Sequence, residues 1–204
     1  LGDNTRVMRN AVMADDLLRL CISQPNSQVA VLAHTRWASV GIISEPNAHP
    51  VNSEELERKN SDAYLVAALT GDVDNHADLR AVNSLRIAGP ITTDAKVIPA
   101  LVARRLTTTA SLSDAFRETV AKFDGSVAIA VASAAEPDKL LLALHGSGQG
   151  LSIGLAEDRF IVASEPYGVV EETLKYVRMD GEALGDPDNP SSRGQVATLS
   201  VANA

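Results

Sequence analysis

Four short apolar runs, at residues 127–132, 140–144, 151–155 and 159–163, fill the second half of the 204-residue chain. Turn signals separate them: Glu136-Pro137-Asp138, Gly146-Ser147-Gly148 and Glu157-Asp158. Runs this short, punctuated this often, predict an antiparallel meander. The first is nearly continuous in apolar residues, so it is expected to be buried on both faces. Upstream the period changes. Val97, Ile98, Leu101 and Val102 share one side of a predicted helix over 93–105, and a second helix is predicted over 113–123. Before them, 63–69 reads as a strand running into Thr70-Gly71-Asp72, followed by a helix from Asn75 to about residue 85. A short helix within 165–172 and a strand over 175–179 follow the four runs. Helices set between strands, then a run of strands, imply an α+β layered fold.

Aromatic residues are only 3% of the chain, so the core must be built from Ala, Val, Leu and Ile. A formal charge of -8 argues against a nucleic-acid partner or an anionic membrane surface. No apolar run approaches the length of a membrane span. The single cysteine, Cys21, excludes an internal disulfide and fits a reducing cytoplasm. The four histidines are scattered, and none pairs at ligand spacing with another His or with Cys21, so no metal is expected. Residues 1–9 read as a loop or strand remnant, and 11–22 as one amphipathic helix with Cys21 as an inert thiol on its apolar face. A helical turn or two is predicted over 53–59, with Ser53 as its cap.

The candidate site lies in residues 29–50. An apolar run over 29–33 reads as a short buried strand, and it delivers His34, Thr35, Arg36 and Trp37 into a polar loop with Gly41, Pro46, Asn47, His49 and Pro50. A strand that feeds a cation and an aromatic ring into a loop is a common way to build a small-molecule pocket. The planar fork of Arg36 suits a carboxylate or phosphate. The blander alternative is that Arg36 stacks on Trp37 at a sheet edge.

Eight blocks carry a family resemblance: HTRWASVG at 34–41, NAHP at 47–50, TGDVDNHADLR at 70–80, TTDAKVI at 92–98, FDGSVAIAV at 123–131, HGSGQGLSIGL at 145–155, FIVASE at 160–165 and YVRMDGE at 176–182. In this order they resemble the glutaminase domain of glucosamine-6-phosphate synthase, a class II glutamine amidotransferase. The resemblance implies an α+β, N-terminal-nucleophile hydrolase type αββα sandwich, with two antiparallel sheets between helices. It implies residues 1–182 as the amidotransferase domain and 183–204 as an extension toward a following domain. The implied reaction hydrolyses glutamine to glutamate, and the ammonia passes to a sugar-phosphate isomerase module. No cofactor is implied. Arg36 would bind the α-carboxylate of glutamine and Asp94 its α-amino group, although Asp94 also stands where a helix cap is expected. Trp37, Ser39 and His49 would shape the pocket wall, and Gly71 would offer its N–H to the oxyanion.

Two departures qualify these expectations. The family nucleophile is an N-terminal cysteine well upstream of HTRW, whereas the sequence here starts at Leu1. The nucleophile and the first strands are therefore expected to be missing, and the 204 residues alone to be inactive. Cys21 is no substitute, having no α-amino group of its own to act as base. The second departure is Thr70 in place of the family's oxyanion-hole Asn, with Val40 replacing the His after Ser39. These substitutions favour an alternative: a catalytically degenerate glutamine-binding or structural module. The missing strands also predict an open sheet edge, to be filled by 195–201 or by a second copy of the chain.

Overall fold

The computed structural model describes residues 2–25, 27–57, 64–189 and 192–200. Leu1, the expected helix end near Lys59, the strand start at Ala63 and the tail residue Val201 lie outside them. The chain divides into two units, 1–31 and 32–204.

The first unit holds helices α1 (Gly2–Ala14) and α2 (Asp16–Ile22). Residues 2–9 are thus helical rather than loop or strand. The single helix expected over 11–22 is split because Asp15 has extended backbone and its carboxylate accepts from Leu18 N at 2.9 Å, capping α2. Helix α2 buries no residue, so Cys21 is exposed rather than packed in an apolar face.

In the second unit a five-stranded antiparallel sheet has the order β1-β2-β3-β4-β8: β1 (Val51–Asn52), β2 (Leu65–Val73), β3 (Gly125–Ser133), β4 (Glu136–His145) and β8 (Gln195–Ser200). A three-stranded antiparallel sheet has the order β6-β5-β7, from β5 (Ser152–Leu155), β6 (Phe160–Ala163) and β7 (Tyr176–Arg178). The expected single meander is therefore cut into two sheets between β4 and β5. Gly146 and Gly148, both at positive φ, turn the chain there.

Helices α4 (Val97–Leu106) and α5 (Leu112–Val120) cover one face of the large sheet. Ile98, Leu101, Val102, Leu112 and Phe116 form one core with Leu65, Leu69, Val127, Ile129, Val131 and Leu141. On the opposite face Ala128, Leu142 and Leu144 join Leu151, Ile153 and Met179. Strand β3 thus supplies Val127, Ile129 and Val131 to one core and Ala128 to the other, as its continuous apolar run requires. Beyond the small sheet, α6 (Tyr167–Val170) buries Val169, whose Cγ1 occupies the space beside Gly154. The layers are helix, sheet, sheet, helix. Helix α3 (His76–Val82) follows β2.

Two local expectations change. Residues 29–33 lie outside every strand of the two sheets, with Val29 and Val31 exposed. An apolar run makes a strand only where a partner strand pairs with it, and 29–33 pairs with none of the described strands. Residues 53–57 form no helix: Glu55 is drawn into a tertiary pair, its oxygens accepting from Arg104 Nε at 2.7 Å and Arg104 NH2 at 2.5 Å. The extended piece expected over 195–201 is present as Gln195–Ser200, which pairs with β4 from Lys139↔Ser200 to Leu144↔Gln195.

Candidate functional site

Strand β2 has two faces with different work. Leu65, Ala67, Leu69 and Val73 are buried, so the side chains of Thr70 and Asp72 point to the opposite side. Both hold the segment after residue 33. His34 Nε2 lies 3.1 Å from Thr70 Oγ1, and Ser39 Oγ donates to Asp72 Oδ1. Between these anchors exposure alternates residue by residue: His34, Arg36, Ala38 and Val40 are half-buried, while Thr35, Trp37 and Ser39 are exposed. The segment has a strand's period without a strand's ladder. That period turns Arg36 inward and leaves Trp37 93% exposed, clear of any packed wall and of a stack with Arg36.

Arg36 closes its own turn. NH1 donates to Ile42 O at 3.2 Å and NH2 to Val40 O. The turn passes so near residues 92–93 that a β-carbon on Gly41 would sit 2.9 Å from Thr93 N. Asn47, in a single 3₁₀ turn (Glu45–Asn47), ties the two segments together. Its Oδ1 accepts from Thr92 N at 2.7 Å and Thr93 N at 3.0 Å, and its Nδ2 donates to Ile42 O at 3.1 Å. The residue is fully buried, with both ends of its amide used.

His49 stands against β2. Its Nδ1 lies 3.2 Å from Leu69 O, and its Nε2 3.3 Å from Thr93 Oγ1. Thr93 Oγ1 also lies 3.4 Å from Asp94 Oδ1, so its one proton serves either His49 or Asp94. Asp94 opens a 3₁₀ turn (Asp94–Lys96), but the N-cap position belongs to Thr93. Its Oδ2 accepts from Val73 N at 2.8 Å, back on β2. The rings of His34 and His49 are 4.9 Å apart between centroids. A continuous path therefore runs from Thr70 through His34, His49 and Thr93 to Asp94.

Burial sets the charges here. It pushes the Asp94 carboxyl above its usual range, assisted by nearby Asp72 and opposed by the bonds from Val73 and Ala95. Burial, then His34 and Arg36, lowers His49 to about 4, against a smaller opposing effect from Leu69. His34 is lowered by burial and by Arg36. Both imidazoles are consequently neutral at pH 7, between one cation and one carboxylate.

Gly71 occupies a position closed to other residues. Its φ is +95°, and a β-carbon would stand 2.0 Å from Ser126 O. The structure thus brings together Arg36, Ser39, His49, Thr70, Gly71 and Asp94 around one end of β2, and leaves the Trp37 side chain exposed to solvent. Sequence reasoning assigned no role to Asn47, His34 or Asp72. Asp72 was accessible by alternation from Thr70, whereas the joining role of Asn47 depends on contacts 45 residues away. Among the described residues no three His, Cys, Asp or Glu side chains converge to hold a metal ion. No helix among them is long and apolar enough to cross a membrane.

No protein-family model matches the chain. Curated relatives do. The glutamine–fructose-6-phosphate aminotransferase (isomerizing) of Pseudomonas syringae pv. tomato is 32% identical over 150 residues, covering 73% of this chain and 23% of that protein. The enzyme of the same name from Thermosynechococcus vestitus is 35% identical over 159 residues, covering 75% of this chain and 24% of its own. The chain thus spans about a quarter of the length of these relatives. Among solved structures, the glutamine phosphoribosylpyrophosphate amidotransferase of B. subtilis, in complex with ADP and GMP, superposes with a TM-score of 0.55. That match has 24% identity over 72% of this chain and 31% of that one. An allosteric regulatory enzyme of purine biosynthesis gives 0.52 at 25% identity, over 65% and 27% of the two chains. By sequence the chain is a relative of the glutamine–fructose-6-phosphate aminotransferases over about three quarters of its length, and its fold is the α+β, N-terminal-nucleophile type sandwich of two antiparallel sheets.

Proposed function

We propose that the site at the end of β2 binds glutamine and serves its hydrolysis to glutamate and ammonia for a sugar-phosphate isomerase module. In this reading Arg36 takes the α-carboxylate and Asp94 the α-ammonium. A zwitterionic amino acid needs one charge of each sign at fixed separation. His49 and Ser39 line the pocket with Trp37 at its rim, and the Thr70 hydroxyl and Gly71 N–H face the oxyanion of the tetrahedral intermediate. The observation that carries the reading is the pair Arg36 and Asp94, each anchored by backbone groups and joined by the path through His34, His49 and Thr93.

Calorimetry with glutamine and glutamate tests the charge pair. Arg36→Ala and Asp94→Asn are each expected to weaken binding by ~2–5 kcal/mol, because one ligand charge is left unpaired in a partly dry pocket. An affinity unmoved by both substitutions would refute these assignments. A second reading, binding without turnover, is favoured by Thr70, which has one donor on a shorter side chain than Asn. Ammonia release from glutamine by the full-length protein separates the two.

A further inference from the structure

Thr70 has a single proton, and an oxyanion role requires that proton to be free. A hydroxyl can turn either way, donating to its neighbour or accepting from it. The only hydrogen-bond partner of Thr70 Oγ1 among the described residues is His34 Nε2, 3.1 Å away. If Nε2 is bare, Thr70 donates to it and has nothing left for a reacting carbonyl oxygen. If Nε2 carries hydrogen, Thr70 accepts, and its O–H has no acceptor until a ligand supplies one.

The other ring nitrogen decides between these arrangements. His34 Nδ1 is buried and has no hydrogen-bond partner among the described residues. A hydrogen placed there would be a buried N–H with nothing to receive it, which folded proteins avoid more strictly than a bare lone pair. Burial and the Arg36 cation keep the ring neutral, so there is one hydrogen to place. It belongs on Nε2.

We propose that His34 is a positioning residue for oxyanion stabilisation: its Nε2–H donates to Thr70 Oγ1 and so keeps the Thr70 O–H available to the reacting carbonyl oxygen, beside the Gly71 N–H. The inference rests on the amidotransferase reading above and adds a residue to it. It also explains how a hydroxyl, free to rotate, serves where donors must be fixed before charge develops. The imidazole removes one of its two orientations.

Two measurements test it. Nitrogen NMR of the 204-residue protein labelled in histidine reads the tautomer directly: the His34 Nε2 resonance is expected in the protonated range and Nδ1 in the unprotonated range. The opposite assignment overturns the proposal whatever the enzyme does. The second measurement is glutamine hydrolysis by the full-length protein. Thr70→Val should lower kcat about 10²–10³-fold, as loss of one oxyanion donor does. Thr70→Ser should stay within a few-fold, and His34→Ala should lower kcat at least about tenfold with KM unchanged. His34→Gln, which restores an N–H, should recover part of that loss. Adding His34→Ala to Thr70→Val should cost almost nothing further, because the imidazole acts through the hydroxyl. No turnover by the unaltered protein removes the functional reading and this inference with it. Turnover that survives His34→Ala removes the inference alone.

Discussion

Asn47 and Gly71 illustrate two ways in which a single residue holds a site. Asn47 satisfies the backbone N–H groups of Thr92 and Thr93 with one carbonyl oxygen while its amide nitrogen reaches Ile42 O. Asn47→Ala would strand those two donors in the interior. The expected loss of stability is on the order of 3 kcal/mol. Urea denaturation checks it, and a loss below about 1 kcal/mol would mean that water or a backbone shift replaces the side chain. Gly71 acts by having nothing to offer. Gly71→Ala meets both a backbone conformation hostile to side chains and a carbonyl oxygen at 2.0 Å. A cost on the order of 4 kcal/mol or more is expected. Ordinary stability in this variant would show that β2 and β3 can part locally at Ser126.

Among the elements, legibility followed how local the cause was. Helix α5, expected over 113–123, begins slightly earlier, with Ser111 accepting from Asp114 N at 3.0 Å, a signal contained within four residues. Helix α4 shows its buried face in the spacing of Val97, Ile98, Leu101 and Val102. The segment 29–33 was misread because an apolar run says nothing about whether a partner strand exists. Residues 53–57 were misread because Glu55 answers to Arg104, a partner 49 residues along the chain. In the site, family motifs singled out Arg36, His49 and Asp94, which the fold places near one end of β2, while the contact of His34 with Thr70 exists only once β2 lies beside the coil. Strand β8 was partly legible: Ala197 and Leu199, on one face of the expected extended piece, pack against the core shared by the two sheets. Its pairing with β4 predicts a definite exchange pattern. As an edge strand, β8 should show alternate protected and unprotected amides from Gln195 to Ser200 in hydrogen exchange. Uniformly fast exchange there would contradict the fifth strand.

At the scale of the molecule, two strongly displaced groups among the described residues make stability rise with pH in two separate windows. His49 titrates near 4 when folded against about 6.5 unfolded, so between those values the unfolded chain binds the extra proton. Stability present above pH 6.5 is therefore lost as the pH falls toward 4, by roughly 1–3 kcal/mol after allowing for the ring's partial exposure to solvent. Lys96, 1% exposed, is lowered by burial to about 8, against the opposing pull of Glu54 and Glu55. Its Nζ donates to Asn52 O at 2.6 Å and Asn52 Oδ1 at 2.8 Å. Between about pH 8 and 10.5 the unfolded chain again holds more protons, and this group makes stability climb. Thermal unfolding across both windows, compared with His49→Gln and Lys96→Met, checks each sign. A wild-type slope between pH 4 and 6.5 that His49→Gln leaves unchanged would exclude the imidazole as its source.

The alternation along β2 has a consequence for how the chain is checked as it folds. Leu69 and Val73 face the helices while Thr70 and Asp72 face the 34–40 segment, all within five residues of one strand. A slip of one residue against β3 would send Thr70 and Asp72 into the hydrocarbon and bring Leu69 and Val73 against the 34–40 segment. No misaligned version of the sheet can then keep even a weakened pocket. Under the proposed function, affinity for an amino acid would report strand alignment, and a ligand present during refolding would draw the population toward the one alignment that can hold it.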